Sequence, residues 1–340
     1  MKIQGLGKYV HMKRLCSPEG HFNMLALDQR PPIFNIIEKI KKRKFKYSEV
    51  VECKKIISSS LMQFSTAILM DPYFSIPNIL NTVKNKGLII TLEDHKFKEI
   101  SKGRLSKRID KWSVEKIKKI GGDAVKILVW YRPDANSNSI QHQKKFVEII
   151  GKECEKFDIP LLLELLVFPF KNDPNHTSKY QEHNLKKTDH VIESVYEFSK
   201  NKYKVDIFKV ECPVHSYDLD HKNISKKTKQ AFRDLSIATN KKPWVMLSSG
   251  MKKNTFFKCL NLAYSNQASG YLAGRSIWKE AFDHYPNLNR IKNELNKSSS
   301  NYMKKINKLT KLKAKSIDAF LNDNLTIKQP KNFLHNFKKF

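Results

Sequence analysis

The chain has 340 residues, of which 40% are hydrophobic and 11% aromatic, so it is long enough to bury a large core in one or two domains. No segment approaches the roughly 18 consecutive apolar residues of a membrane-spanning helix, and the N-terminal segment lacks the apolar stretch of a secretory signal. We therefore expect a cytoplasmic protein that does not enter a membrane.

The net charge of +31 raises the question of nucleic-acid binding, because clustered basic residues attract phosphate backbones. Only nine of the 64 basic residues are arginine, the residue whose planar fork suits base and phosphate recognition. A surplus of Lys, Asn, Ile and Phe is typical of genome-wide codon bias. We expect only weak, non-specific contact with nucleic acid, and we interpret the basic run at 39–46 as a solvated surface.

The five cysteines are odd in number and form no CxxC pair. This pattern is typical of reduced thiols and predicts neither a disulfide framework nor a zinc site. We expect no cofactor.

Eight apolar segments rich in Val, Ile and Leu recur along the chain, as in parallel strands that are buried on both faces. They are predicted at 22–30, 64–72, 87–94, 123–131, 159–168, 206–214, 243–250 and 269–278. Helical segments are expected between most of them, including one capped by Ser48, one that runs from Ser113 to Gly121, and a short one over 75–86.

This alternation predicts an α/β protein, a (β/α)8 or TIM barrel. An open doubly wound sheet is the alternative, but no GxGxxG motif follows the first strand. We assign 1–290 to the barrel and 291–340 to a basic, helical C-terminal extension.

Polar residues concentrate where the predicted strands end, which is where TIM barrels place their chemistry. The first strand ends in Asp28, Gln29 and Arg30, and the third in Glu93 and Asp94. Other charges lie within predicted strands: Lys126 in the fourth, Glu164 in the fifth and Lys209 in the sixth.

Alternation along a strand predicts which of these side chains point into the barrel. If Lys209 points inward, so do Ile207 and Glu211, and Lys126 shares one face with Leu128 and Trp130. Two lysines and Glu164 are then expected to converge. A buried structural ion-pair cluster is the alternative, but three inward charges on neighbouring strands favour a functional site.

A partly desolvated lysine beside a second ammonium group is suited to imine formation. Desolvation and the neighbouring positive charge both lower the pKa of the lysine, and so favour the neutral amine that attacks a ketone. The protonated imine then acts as an electron sink for an adjacent carbanion, and a carboxyl such as that of Glu164 shuttles protons. The predicted chemistry is carbon–carbon bond cleavage.

The seventh and eighth strands end in the segments LSSG (247–250) and LAGR (272–275). Barrel enzymes often bind phosphate at these two strand ends. These two segments indicate an anionic substrate. They offer serine hydroxyl groups, two glycines at which a ligand can approach the backbone closely, and the guanidinium group of Arg275.

Seven segments in order resemble the motif series of the tagatose-1,6-bisphosphate aldolase family, over about residues 20–280. They are MLALDQR, STAILMDP, GGDAVKILVWY, LLLELLVF, FKVECPV, WVMLSSG and GYLAGRSIW. The first, seventh and eighth strands also resemble the closely similar sulfofructose-1-phosphate aldolases. The resemblance implies a class I lyase that cleaves a phosphorylated ketose to glycerone phosphate and an aldehyde.

The resemblance also implies residue roles. Lys209 is the expected Schiff-base lysine and Glu164 the expected acid/base. The substrate-binding residues that the resemblance implies are Asp28, Gln29, Arg30, Lys126, Ser248, Gly250, Gly274 and Arg275. No metal is expected, and we expect a homo-oligomer.

Two other readings stay open on the sequence alone. One is a metal-dependent aldolase or another barrel enzyme that acts on a phosphorylated substrate, although no paired-histidine motif is present and His95 stands apart from His142 and His215. The other is a basic nucleic-acid-binding protein on a degenerate barrel, which the set Lys126, Glu164 and Lys209 argues against.

Overall fold

The fold is a closed parallel barrel with an outer layer of helices. The computed structural model describes residues 6–76, 85–173, 176, 186–221 and 223–321. The strands are β1 (Phe22–Leu27), β2 (Ala67–Met70), β3 (Gly87–Thr91), β4 (Lys98–Ile100), β5 (Gly103–Leu105), β6 (Ala124–Trp130), β7 (Leu161–Leu166), β8 (Ile207–Val210), β9 (Trp244–Met246) and β10 (Gly270–Ala273).

Eight of these strands close the barrel in the order β1-β10-β9-β8-β7-β6-β3-β2, and every neighbouring pair is parallel. Strands β4 and β5 form a separate antiparallel hairpin. All eight predicted strands are present in the barrel, so the predicted fold is confirmed.

The helices surround the strands. They are α1 (Leu6–Arg14), α2 (Pro31–Lys41), α3 (Tyr47–Leu61), α4 (Val114–Lys119), α5 (Ser137–Lys156), α6 (Thr188–Phe198), α7 (Lys226–Ala238), α8 (Lys253–Ser265), α9 (Arg275–Trp278), α10 (Leu288–Glu294), α11 (Ser300–Lys313) and α12 (Asp318–Leu321). Short 3₁₀ turns cover Met62–Phe64, Asn201–Tyr203, Ser216–Leu219 and Lys279–His284, and a π-helical turn covers Leu295–Ser299.

The predicted helix starts had different outcomes. The Ser113 hydroxyl accepts a hydrogen bond from the Lys116 amide and caps α4, as predicted. The prediction that Ser48 caps α3 was wrong, because the N-cap position is occupied by Lys46, two residues earlier. There the Glu49 carboxylate accepts a hydrogen bond from the Lys46 amide. Of the helix predicted at 75–86, residues 77–84 lie outside the described part of the chain.

Buried apolar side chains form two layers. An inner cluster fills the barrel with residues such as Met24, Leu69 and Ile207, and a larger cluster lies between the strands and the outer helices. The inner cluster includes Met12 of α1. From the same helix, Lys8 Nζ donates a hydrogen bond to Oδ2 of Asp206, the residue directly before β8, at 2.8 Å. Helix α1 therefore closes the N-terminal end of the barrel and leaves the opposite end for the site.

The segment after residue 290 packs on the barrel as far as it is described. Helix α10 spans position 290, and Met303 and Ile306 of α11 belong to the outer core. The Ile317 amide donates to the Gly20 carbonyl at 2.9 Å. The rest of the predicted extension, 322–340, lies outside the described residues, and none of the described helices is both long and apolar enough to span a bilayer.

Candidate active site

Lys209 points into the barrel from β8. Its neighbour Ile207 belongs to the inner core cluster, whereas Phe208 and Val210 pack in the outer one, as the alternation along the strand predicted. Register pairs Lys209 with Glu164 of β7, and Lys209 Nζ donates to Glu164 Oε2 at 2.8 Å. The lysine is only 3% exposed, so this amine and its carboxylate partner are held together out of bulk water.

Lys126 of β6 lies at the centre of three carboxylates. Its Nζ is 2.6 Å from Glu93 Oε1, 2.9 Å from Asp28 Oδ2 and 2.9 Å from Glu164 Oε2. Burial by itself lowers the pKa of this lysine, but the three carboxylates outweigh burial and hold its pKa well above the ordinary value. Lys126 is therefore an ammonium group throughout the physiological pH range.

The three carboxyl groups differ in acidity. Burial raises the pKa of both Asp28 and Glu164, but the nearby Lys126 and Lys209 outweigh burial and leave both pKa values below the ordinary range. At Glu93 burial prevails over the attraction of Lys126, and the pKa is raised to about 7. Asp28 and Glu164 are thus carboxylates at neutral pH, and Glu93 changes its protonation state there.

These groups line a cavity of about 530 Å³, open solvent at its mouth included, at the C-terminal ends of the strands. Such a position is where TIM barrels bind their ligands. The lining residues are Asp28, Gln29, Arg30, Pro31, Pro32, Glu93, His95, Lys126, Leu128, Glu164, Leu166, Lys209, Leu247, Ser249 and Arg275. The set includes seven of the ten residues that the sequence predicted.

The other three predicted residues, Ser248, Gly250 and Gly274, are not among the residues that line the cavity. Ser248 is buried, and its neighbour Ser249 lines the cavity instead. Gly250 has a φ of +84°, and a Cβ built there would lie 3.8 Å from the Arg275 guanidinium carbon. A Cβ at Gly274 would meet the Ala26 carbonyl oxygen at 2.4 Å, so a glycine is needed where β10 ends against β1.

Two arginines, Arg30 and Arg275, supply positive charge to the cavity. Arg30 is 3% exposed, its Nη2 donates to the Glu93 carbonyl at 3.4 Å, and its Nε and Nη1 have no hydrogen-bond partner among the described residues. Burial lowers the pKa of Arg275, which the charges of Glu164 and Asp28 partly offset. Because a buried guanidinium group needs acceptors, Arg30 is suited to an anionic ligand.

Glu93 was predicted as a charge at the end of a strand but was not assigned to the site. The sequence signal for it was its position in the last two residues of the strand predicted at 87–94. Pro31 and Pro32 also line the cavity, and they occupy the first two positions of α2, where a helix needs no backbone N–H partner.

A second buried ion pair supports the end of β1. Lys54 Nζ donates to the Leu27 carbonyl at 2.6 Å and to Asp71 Oδ2 at 2.5 Å, and both charged side chains are completely buried. The second oxygen of Asp71 accepts the Tyr73 and Phe74 amides. Because Leu27 precedes Asp28, this network fixes the backbone from which the Asp28 carboxylate reaches Lys126.

A closed parallel barrel with a lysine–carboxylate cluster at its C-terminal end defines a TIM-barrel enzyme. Residues 23–280 match the model of the DeoC/LacD family aldolases, and the chain belongs to that family. Aldolases are lyases, so the predicted enzyme class is confirmed.

The chain is similar to tagatose 1,6-diphosphate aldolases of two bacteria, which confirms the family resemblance. It is 30% identical over 279 residues to tagatose 1,6-diphosphate aldolase 1 of Enterococcus faecalis, covering 80% of this chain and 84% of that one. It is 31% identical over 286 residues to the Listeria monocytogenes enzyme, covering 82% and 83%. The resemblance to sulfofructose-1-phosphate aldolases stays a prediction.

Solved structures share the fold. The fructose-bisphosphate aldolase of Slackia heliotrinireducens has a TM-score of 0.63 at 11% identity, covering 96% of this chain and 93% of that one. The Plasmodium falciparum fructose-bisphosphate aldolase has a TM-score of 0.63 at 12% identity, covering 92% and 96%.

Proposed function

We propose that this chain is a class I aldolase that cleaves tagatose 1,6-bisphosphate to glycerone phosphate and glyceraldehyde 3-phosphate through a Schiff base on Lys209. The substrate is supported by the names of the similar Enterococcus and Listeria enzymes. The observation that carries the mechanism is the 2.8 Å contact between Lys209 Nζ and Glu164 Oε2 inside the cavity.

The charge distribution supports the choice of Lys209 over Lys126 as the nucleophile. Three carboxylates surround Lys126 and keep its proton in place, whereas the described contacts of Lys209 Nζ include one carboxylate, that of Glu164. An amine must be neutral to attack a carbonyl group. Lys209 therefore serves as the nucleophile, and Lys126 serves as a fixed cation for the oxygens of the substrate.

The steps balance without a cofactor. Lys209 Nζ first passes a proton to Glu164 Oε2, with which it is in contact, and the neutral nitrogen attacks the ketone. A second nitrogen proton moves to the former ketone oxygen, and Glu164 returns its proton to that hydroxyl group, which leaves as water. A base removes the proton of the substrate hydroxyl, the electron pair of the breaking carbon–carbon bond enters the iminium group to give an enamine, and the aldehyde leaves. Protonation of the enamine and hydrolysis of the imine release glycerone phosphate.

Substrate-binding roles follow from placement in the cavity. Arg275, beside Gly250 and Ser249, is placed to bind the phosphate nearer the ketone. Two nitrogens of Arg30 have no hydrogen-bond partner in the described part of the chain and are placed for the second phosphate. Asp28 and Gln29 line the same wall and are suited to sugar hydroxyls.

Two further expectations belong to this proposal. All five cysteines are free thiols, which supports a cytoplasmic location. We also propose that the enzyme is a homo-oligomer.

A substrate panel tests the proposed function. The purified chain is assayed for aldehyde release from tagatose 1,6-bisphosphate, fructose 1,6-bisphosphate and sulfofructose 1-phosphate, each with and without EDTA. We expect cleavage of the tagatose compound that EDTA does not reduce. Loss of activity in EDTA supports a metal-dependent aldolase instead, and exclusive cleavage of the sulfofructose compound shows that the substrate assignment is wrong.

A further inference from the structure

Glu93 is a buried carboxyl group in the cavity that the mechanism above leaves unused. It follows strand β3, is 2% exposed and lines the cavity. Its Oε1 lies 2.6 Å from Lys126 Nζ, whereas its Oε2 has no hydrogen-bond partner among the described residues. A buried polar atom without a partner is costly, and a ligand hydroxyl in the cavity supplies the missing contact.

The other two carboxylates are already engaged by cations. Glu164 Oε2 contacts both Lys126 Nζ and Lys209 Nζ, and Asp28 Oδ2 contacts Lys126 Nζ. Two ammonium contacts make Glu164 a weak base, and its lowered pKa agrees with this. Neither group is well suited to hold a proton taken from a sugar hydroxyl.

We infer that Glu93 is the catalytic base that removes the proton from the substrate hydroxyl whose oxygen becomes the aldehyde. The inference rests on the proposed Schiff-base function. As the carbon–carbon bond breaks, its electron pair enters the iminium group, the hydroxyl becomes a carbonyl group, and its proton passes to Glu93 Oε2. In the reverse direction the neutral Glu93 returns that proton to the forming alkoxide, and Glu164 serves the carbinolamine at Lys209.

The acidity of Glu93 fits this role. Burial raises its pKa to about 7, and a general base works best when its pKa is near the operating pH. The charged groups that face it are Lys126 on β6 and, directly after β1, Asp28 and Arg30. The two cations lower its pKa and Asp28 raises it. Cleavage needs the ionised form, so its rate rises as the pH increases through about 7.

Two assays separate this step from imine formation. Glycerone phosphate with borohydride traps the lysine adduct without any carbon–carbon cleavage, and aldehyde release from the bisphosphate measures cleavage. We expect Glu93→Gln to form the adduct to the wild-type extent while kcat for cleavage falls about a hundredfold or more, the usual contribution of a general base. The rise of kcat through pH 7 is lost in Glu93→Gln and retained in Glu93→Asp, which keeps a carboxyl group. Glu115→Gln, on the exposed surface of α4, is the matched control with wild-type behaviour.

The possible results are distinct. The inference about Glu93 is overturned, and the proposed function is not, if Glu93→Gln forms the adduct normally and keeps a kcat within threefold of wild type. An unchanged pH profile of kcat in Glu93→Gln has the same consequence. Loss of the adduct in both Glu93→Gln and Glu93→Asp shows that Glu93 supports the structure, and also overturns it. If the wild-type enzyme itself forms no adduct, the proposed Schiff-base function is wrong, and the inference about Glu93 that rests on it is wrong as well.

Discussion

Lys209 and Glu164 are register partners on adjacent strands, and the lysine nitrogen lies 2.8 Å from the carboxylate oxygen. Both side chains extend from strands of a closed barrel, so neither is positioned by a mobile loop. The proton carrier that imine formation needs is therefore in place before a substrate arrives, which is the kind of preorganisation that lowers a barrier.

Lys126 is expected to be essential for the stability of the site. In Lys126→Met the carboxylates Asp28, Glu93 and Glu164 lose their common cation, and breaking a buried ion pair in this way costs about 3–5 kcal/mol. The pKa values of the carboxyl groups rise in the folded variant, so the destabilisation is greater at pH 8 than at pH 5. Urea unfolding at the two pH values measures it, with the exposed Lys119→Met as the control. An equal loss at both pH values contradicts this account of the cluster.

Arg275→Ala is expected to raise KM for a bisphosphorylated substrate by about 10- to 150-fold, because a charge-assisted contact contributes roughly 1.5–3 kcal/mol. Steady-state kinetics measure the change, with Arg233→Ala on the exposed face of α7 as the control. An unchanged KM with intact kcat excludes Arg275 as a phosphate ligand.

Lys54→Met is expected to destabilise the fold by about 3–5 kcal/mol, because it leaves Asp71 as a buried charge without its cation. Adding Asp71→Asn restores part of the loss, since the amide oxygen of asparagine still accepts the Tyr73 and Phe74 amides. Thermal unfolding of the single and double variants measures both effects. If the double variant is less stable than Lys54→Met, the buried charge is not the cause.

The high net charge is expected to give only weak binding to nucleic acid that disappears near physiological salt, about 150 mM. Fluorescence anisotropy with a labelled duplex and a labelled single strand, at low and at physiological salt, measures it. Sequence-selective binding that persists at physiological salt contradicts the interpretation of the lysines as a solvated surface.

Much of the fold was predictable because the signals are local. Each barrel strand lies in a mostly apolar segment, and the alternation along β8 correctly placed Ile207 inside the barrel and Phe208 outside it. The closure of the barrel by α1 was not predictable, because it depends on contacts such as Lys8 with Asp206, 198 residues apart in the chain. The hairpin of β4 and β5 also went unpredicted, because each strand has only three residues.

The candidate site was predictable where a charge interrupts an apolar strand. Lys126, Glu164 and Lys209 contrast with their neighbours, and the structure brings all three together. Glu93 lies just beyond the end of β3, where charged residues are common, so its burial and its contact with Lys126 needed the three-dimensional structure. Which serine of the pair 248–249 faces the cavity also depended on the backbone, since Ser249 has a φ of +46°.

The most direct test of the central claim is borohydride reduction in the presence of glycerone phosphate, followed by peptide mapping. We expect a single covalent adduct on Lys209, none in Lys209→Ala, and a normal adduct in the exposed control Lys152→Ala. Lys209→Ala is also expected to keep the wild-type circular dichroism spectrum while cleavage is abolished. A wild-type enzyme that carries no label, or that is labelled on Lys126 while Lys209 is untouched, contradicts the assignment.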